Sequence, residues 1–164
     1  MQTSSDKHVA RPFLILLIAI FIVVSDQVLK LIISKEVFLG GHESIEIFSF
    51  FSLVFVRNTG ISFGLFNDGG EIQRWLMTSF AVLIGLVILV WAMLSNRKVF
   101  RMALALIAGG AFGNAIDRMY FGGVIDFMDF YIYDFHWPAF NLADSSISVG
   151  VILLLMEGFL DKRV

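Results

Sequence analysis

Two aspartates, Asp126 and Asp144, sit in a loop and at a helix start, so folding can bring them together. Two carboxyls held close cannot both ionise cheaply: one keeps its proton near neutral pH while the other stays a base. Such a pair can activate water on one side of a peptide carbonyl and protonate the leaving amine on the other. Asp117, Asp129 and Asp134 are rival partners, and spacing alone does not choose among them. Other chemistry finds little support. His8, His42 and His136 have no metal-ligand spacing, and no HExxH occurs. Gly60-Ile61-Ser62-Phe63-Gly64 matches G-x-S-x-G, but that motif makes a nucleophile only on the strand-to-helix elbow of a parallel sheet, and no such pattern is present. Without cysteine there is no thiol nucleophile, disulfide framework or iron–sulfur ligand. No metal or cofactor is expected.

The elements that must position these residues are membrane helices. The chain has 164 residues, 58% hydrophobic and 16% charged, where soluble domains run about 45–50% apolar and about 25% charged. A soluble protein of this length cannot bury so much apolar surface. The expectation is a mainly α membrane protein, a single polytopic domain over 1–164. It has four transmembrane helices, about 13–34, 75–94, 99–117 and 142–160, and a small extracytoplasmic β-sheet. Lys7 and Arg11 before the first apolar stretch resemble a signal peptide, but no small-residue cleavage site follows Val24 and the apolar pattern resumes at Val28. An uncleaved span is expected. Arg97, Lys98 and Arg101 crowd the short connection between the second and third spans, which places it in the cytoplasm together with both termini. A net charge of −2 gives no footprint for nucleic acid.

The outer loop at about 40–70 is β-rich: residues 44–56 mix β-branched and aromatic side chains in imperfect alternation, the mark of a strand or two. Its aromatic rings suit the headgroup level. Asn67-Asp68-Gly69-Gly70 signals a turn before the second span. The segment between Asp117 and Asn141 reads as a second outer loop.

With this topology Asp26, Lys30, Asn114, Asp117, Arg118, Asn141 and Asp144 all fall at the outer ends of spans, with Asp126 in the loop between two of them. Ionisable groups at membrane depth cost a few kcal/mol or more and face a partner or a cavity, so the cluster is a candidate site. Each member also has a structural reading. Asp26 and Lys30 have the spacing of an (i, i+4) ion pair. Asp117 and Arg118 read as interfacial anchors at a span end. Asn114, a turn deeper, suits a hydrogen bond to a neighbouring helix. Asp144 before Ser145-Ser146 reads as a helix N-cap. Gly109 and Gly113 form a small-residue packing face.

Five segments in order resemble one family: Asp26-Gln27-Val28-Leu29-Lys30; Asn58-Thr59-Gly60-Ile61-Ser62-Phe63-Gly64; residues 109–118, with Asn114, Asp117 and Arg118; Val124-Ile125-Asp126-Phe127; and residues 140–147, with Asn141 and Asp144. This pattern is similar to the bacterial lipoprotein signal peptidases, signal peptidase II. The resemblance implies an aspartic endopeptidase of the bacterial cytoplasmic membrane. Its substrate would be a prolipoprotein, cut just N-terminal to a Cys that carries diacylglycerol. It implies Asp126 and Asp144 as the catalytic pair and Asn58, Asn114, Arg118 and Asn141 as positioning residues. Asp26, Lys30 and Asp117 would be structural neighbours of the site. The expected partners are that substrate and membrane lipids, with the enzyme acting as a monomer. A small transporter or channel subunit is the main competing reading, but it calls for ionisable groups along the depth of the bundle and an inverted repeat. The inner halves of the spans offer little beyond Arg101 and Glu157. A non-catalytic assembly subunit is the other, with the aspartates as caps and anchors.

Overall fold

Long apolar stretches set the architecture of the computed structural model, which describes residues 4–60 and 70–161. Helix α1 runs Ser4–Ile33 and passes into a six-residue π-helix, Ser34–Leu39. Helices α2 (Gly70–Leu94), α3 (Lys98–Phe121) and α4 (Leu142–Asp161) follow. All four are long and apolar enough to cross a membrane. Helix α3 is the central one: 56% of its apolar window is buried, against 22% for α1 and α2 and 17% for α4. The other three leave large side chains such as Phe21, Leu83 and Leu155 exposed, which a lipid environment covers.

Helix α3 takes the centre because its side chains are small. Between helices already in lipid, association comes from close van der Waals approach rather than from expelling water. Ala103, Ala105, Ala108, Gly109, Gly110 and Gly113 are buried along it. Gly109 faces Ala19 and Ile22 of α1, Gly110 faces Ala143, Ser146 and Ile147 of α4, and Gly85 of α2 receives the Phe112 ring. Ile15, Ala19, Leu89, Ala92, Leu104, Ala105 and Ala108 form the membrane core. At its outer end α3 stops on Gly122, whose φ of 72° is the left-handed conformation that glycine adopts at little cost.

At that end sits an antiparallel sheet in the order β1-β2-β3-β4: Ser44–Phe48, Phe51–Asn58, Val124–Ile132 and Phe135–His136. The two strands expected within 44–56 are β1 and β2. The second outer loop differs from expectation, for it contains β3 and β4. Its run Val124 to Ile132 alternates β-branched and aromatic residues with Asp126 and Asp129, and pairing with β2 gives those side chains a pleated surface to fill. Helix α3 also runs to Phe121, past the apolar stretch ending near 117, so Asp117 and Arg118 lie inside it. Helix α2 begins at Gly70, ahead of Trp75. Of the expected turn at 67–70, only Gly70 lies within the described residues. Ile33, Val37 and Phe127 form a second, smaller core joining the end of α1 to the sheet.

A side chain at Gly110 would press on the Ala143 carbonyl and approach Ser146 Oγ to 2.6 Å. Gly110→Val is expected to destabilise the fold by about 1–3 kcal/mol through overpacking. Gly158→Ala, with nothing within 4 Å of the new Cβ, should be near neutral. Thermal unfolding of both variants in detergent checks the contrast.

Candidate active site

The site begins with the way the chain enters α4. Phe140 pairs with β3 through its N–H to the Met128 carbonyl (3.1 Å), and its own carbonyl accepts the N–H groups of Phe127 and Met128 at 3.0 and 2.8 Å. The next residue, Asn141, is therefore pinned beside Ile125 and Asp126 just before the helix starts. Its side-chain oxygen accepts the Asp144 N–H at 2.9 Å, and Asp144 Oδ2 accepts the Asn141 N–H at 3.3 Å. This is a reciprocal capping box. The cap is Asn141, and Asp144, expected as the cap, is instead the third residue of the helix, where a carboxylate also favours the positive end of the helix dipole.

Asn141 is fully buried, and its amide nitrogen reaches Asp126 Oδ1 at 2.8 Å, Asn114 Oδ1 at 3.1 Å and the Ile125 carbonyl at 3.2 Å. Asn114, on α3, donates to Asp144 Oδ1 at 2.8 Å. The carboxylates of Asp126 and Asp144 are thus joined through two amides, each of which touches one carboxylate and the other amide. Asn58 supplies the second donor to Asp126, 3.0 Å from Oδ2. In the β2–β3 register Val56 stands opposite Asp126 and Asn58 opposite Val124, so Asn58 reaches Asp126 along the diagonal of one sheet face. The Asn58 side-chain oxygen accepts the Gly60 N–H at 2.9 Å, which orients the amide.

Asp126 is on a strand, not in a loop, and is buried. Its pKa is raised to about 6, chiefly by burial and also by the Asp144 charge, against the bonds from Asn58 and Asn141 and the Lys30 charge, which oppose the shift. The Arg118 guanidinium is within electrostatic reach of Asp144, Asp117 and Asp126. It is anchored to its own helix by an N–H to the Asn114 carbonyl at 3.2 Å.

A second layer lies beneath. Lys30, 2% exposed, places its ammonium 2.6 Å from Asp26 Oδ2 and 2.7 Å from Asp117 Oδ2, both carboxylates being 0% exposed. Lys30 therefore pairs with Asp26 and also bridges to α3. Asp117, expected as an interfacial anchor, is an interior counter-ion because the helix continues a further turn. Asp26 Oδ1 accepts the Ala143 N–H in the first turn of α4 at 3.0 Å, and Asp117 Oδ2 accepts the Ile125 N–H at 3.0 Å. Lys30 also approaches Asn114 Oδ1 at 3.4 Å.

The other candidates are elsewhere. Asp129 is engaged by His136 Nδ1 at 2.8 Å, and Asp134 is exposed. Ser62 lies outside the described residues, among which no three His, Cys, Asp or Glu side chains gather to hold a metal. Sequence reasoning missed two supporting residues. Gln27 donates to Asp117 Oδ1 at 2.8 Å and to the Gly113 carbonyl at 3.2 Å. Its amide bridge from α1 to α3 had no signal beyond its place beside Asp26. Arg74 of α2 donates from Nε to the Arg118 carbonyl at 2.6 Å and from its guanidinium to the Met119 carbonyl, and lies over the Trp75 ring. It neutralises the open carbonyl end of α3, the turn that carries Arg118.

The chain is similar to known proteins over most of its length. The sequence profile of the family described as Signal peptidase (SPase) II matches residues 18–160. A lipoprotein signal peptidase of Cupriavidus necator is 42% identical over 148 residues, covering 89% of this chain and 83% of that protein. One from Vibrio cholerae is 38% identical over 148 residues, covering 89% and 86%. A bacterial membrane enzyme structure obtained by the in meso method at 2.3 Å resolution superposes with a TM-score of 0.74 at 32% identity, covering 90% of this chain and 88% of that one. A second, at 1.9 Å resolution, gives 0.75 at 32% identity, covering 87% and 90%.

Two outcomes follow from the geometry. Because burial raises the folded pKa of Asp126 from 3.8 to about 6, the folded state holds that proton more tightly than the unfolded chain. Its contribution to stability is complete below pH 3.8 and is lost as pH rises through about 6. The melting temperature of Asp126→Asn relative to wild type should accordingly improve between pH 4 and pH 7 and change little above, as read by unfolding scans across that range. Arg74→Gln should loosen the last turn of α3 by about 1 kcal/mol, seen as faster amide exchange over 118–121, and Arg74→Lys should recover only part of the protection because it lacks the planar fork.

Proposed function

Because the chain belongs to the signal peptidase II family, membrane peptidases that remove signal peptides in lipoprotein maturation, we propose that it is an aspartic endopeptidase whose working pair is Asp126 and Asp144. The observation that carries this reading is the amide bridge: two carboxylates from different elements, β3 and α4, are held by Asn141 and Asn114 at one end of the bundle. The raised pKa of Asp126, about 6, helps the pair to hold one proton. Asp144, in the first turn of α4, accepts from Asn114 and from the Asn141 backbone. A water between them is deprotonated as it attacks the scissile carbonyl, and the shared proton passes to the leaving amine. The pair titrates as a unit. Asn58, Asn114 and Asn141 fix the carboxylates, and Arg118 balances their charge and meets substrate.

The substrate is a prolipoprotein, cut immediately before its diacylglyceryl-Cys. A lipid-anchored cysteine with its signal helix across the bilayer puts the scissile bond near the headgroups, and the pair sits where α1, α3 and α4 meet the sheet. The site faces the exterior of the bacterial cytoplasmic membrane with both termini in the cytoplasm. Support for this orientation is the basic connection Arg97, Lys98 and Arg101 at the opposite end of α3. The enzyme acts as a monomer.

Purified enzyme with a diacylglyceryl-modified precursor tests the reading. Asp126→Asn and Asp144→Asn should each still fold and unfold in one cooperative transition yet lower signal-peptide release by about 10³-fold or more, the scale of a lost acid–base group. Wild-type release by both variants would overturn the aspartyl mechanism.

A further inference from the structure

On the sheet face opposite Asp126 lies a cleft of about 600 Å³ between the end of α1, β2 and the end of α3. The strand period puts it there: Val56 is opposite Asp126, while Arg57, one residue on, is opposite Ile125 and points to the other face. The cleft has apolar walls from Leu39, Phe55 and Phe121, with Ser34 and Tyr120 at its rim. Arg57 is its one cation among the described lining residues, which include no carboxylate. The guanidinium gives one N–H to the Phe121 carbonyl at 3.4 Å, which steadies the side chain that lines the cleft. Val28, Leu31 and Ile32 of α1 are exposed apolar residues leading away from Ser34 into the span.

We propose that this cleft seats one membrane phospholipid, with Arg57 on the phosphodiester and the acyl chains along the exposed apolar face of α1. A positive fork is complementary to a phosphate and can bind two of its oxygens. Apolar walls continuous with a lipid-facing helix have no use for free phosphate but suit the glycerol and upper chains of a lipid. Tyr120 has the amphipathic ring that favours headgroup depth. The cleft is separate from the carboxylate pair, and the proposal stands independently of the aspartyl mechanism.

Native mass spectrometry of the full chain released from detergent tests it, with added dioleoylphosphatidylglycerol, dioleoylglycerol or glycerol 3-phosphate. The expected result is retention of the phospholipid by wild type, with little of the phosphate-free lipid or the lipid-free phosphate. Arg57→Gln should weaken retention about tenfold, the loss of a charge-assisted contact, and Arg57→Lys less. Tyr120→Ala, at an exposed position, should weaken it also and serves as the independent variant should Arg57→Gln unfold. Equal retention of the diacylglycerol and the phospholipid, or retention unchanged in Arg57→Gln and Tyr120→Ala, would overturn the proposal.

Discussion

The structure depends on one buried ammonium. Lys30 sits at membrane depth with almost no exposure, where an unpaired charge is costly enough to unfold or displace the helix that carries it. It is tolerated because Asp26 and Asp117 lie 2.6 and 2.7 Å away. Each carboxylate also accepts a backbone N–H of another element: Asp26 from Ala143 at the start of α4, Asp117 from Ile125 at the start of β3. The ion triad therefore fixes the two segments that carry Asp144 and Asp126. Removing Lys30 would leave two buried carboxylates without their shared cation and loosen both segments at once.

The upper layer follows from this lower one. With the starts of α4 and β3 held, Asn141 has a single place to be, and its amide reads both sides of the site. The oxygen caps the helix through the Asp144 N–H, and the nitrogen touches Asp126. Helix capping and carboxylate positioning are the same set of bonds. Asp144 is likewise divided, Oδ2 toward the Asn141 backbone and Oδ1 toward Asn114. The structural and chemical readings of that residue, which look like alternatives in the sequence, are compatible because a carboxylate has two oxygens.

Much of this was legible in the sequence, and what was not has physical reasons. Four apolar stretches and the β-branched, aromatic run at 44–56 announce the helices and the first hairpin. The run at 124–132 has the same character, but its two aspartates disguised it as loop; their burial comes from partners, Asn58 and Asn141 for one and His136 for the other. Hydropathy ended the third span near 117 because Asp117 and Arg118 are ionisable, whereas the helix continues until Gly122 permits the turn. Asp144-Ser145-Ser146 imitated a cap, yet Asn141-Leu142-Ala143-Asp144 carries the spacing of a capping box, and that signal was present. Nothing local in the sequence singles out Arg57 or Arg74, because their contacts with the Phe121, Arg118 and Met119 carbonyls are tertiary.

The distribution of charge bears on the transport alternative. A conduction path needs ionisable groups in sequence through the bundle. Here the interior of α3 between Arg101 and Asn114 is a surface of alanine, leucine and glycine pressed against α1 and α4. Arg101 donates to the Ala92 carbonyl, and Arg97 pairs with Glu157 at 3.1 Å, both at the end away from Asp126. The close packing that lets α3 hold three helices together also leaves no polar continuity between its ends. The same small residues that seal the bundle allow α1 and α4 to approach α3 closely enough for Lys30 to reach Asp117 and for Asp26 to reach the Ala143 N–H. Sealing and site assembly are two consequences of one packing choice, so a substitution that opened the bundle would be expected to dismantle the carboxylate pair as well.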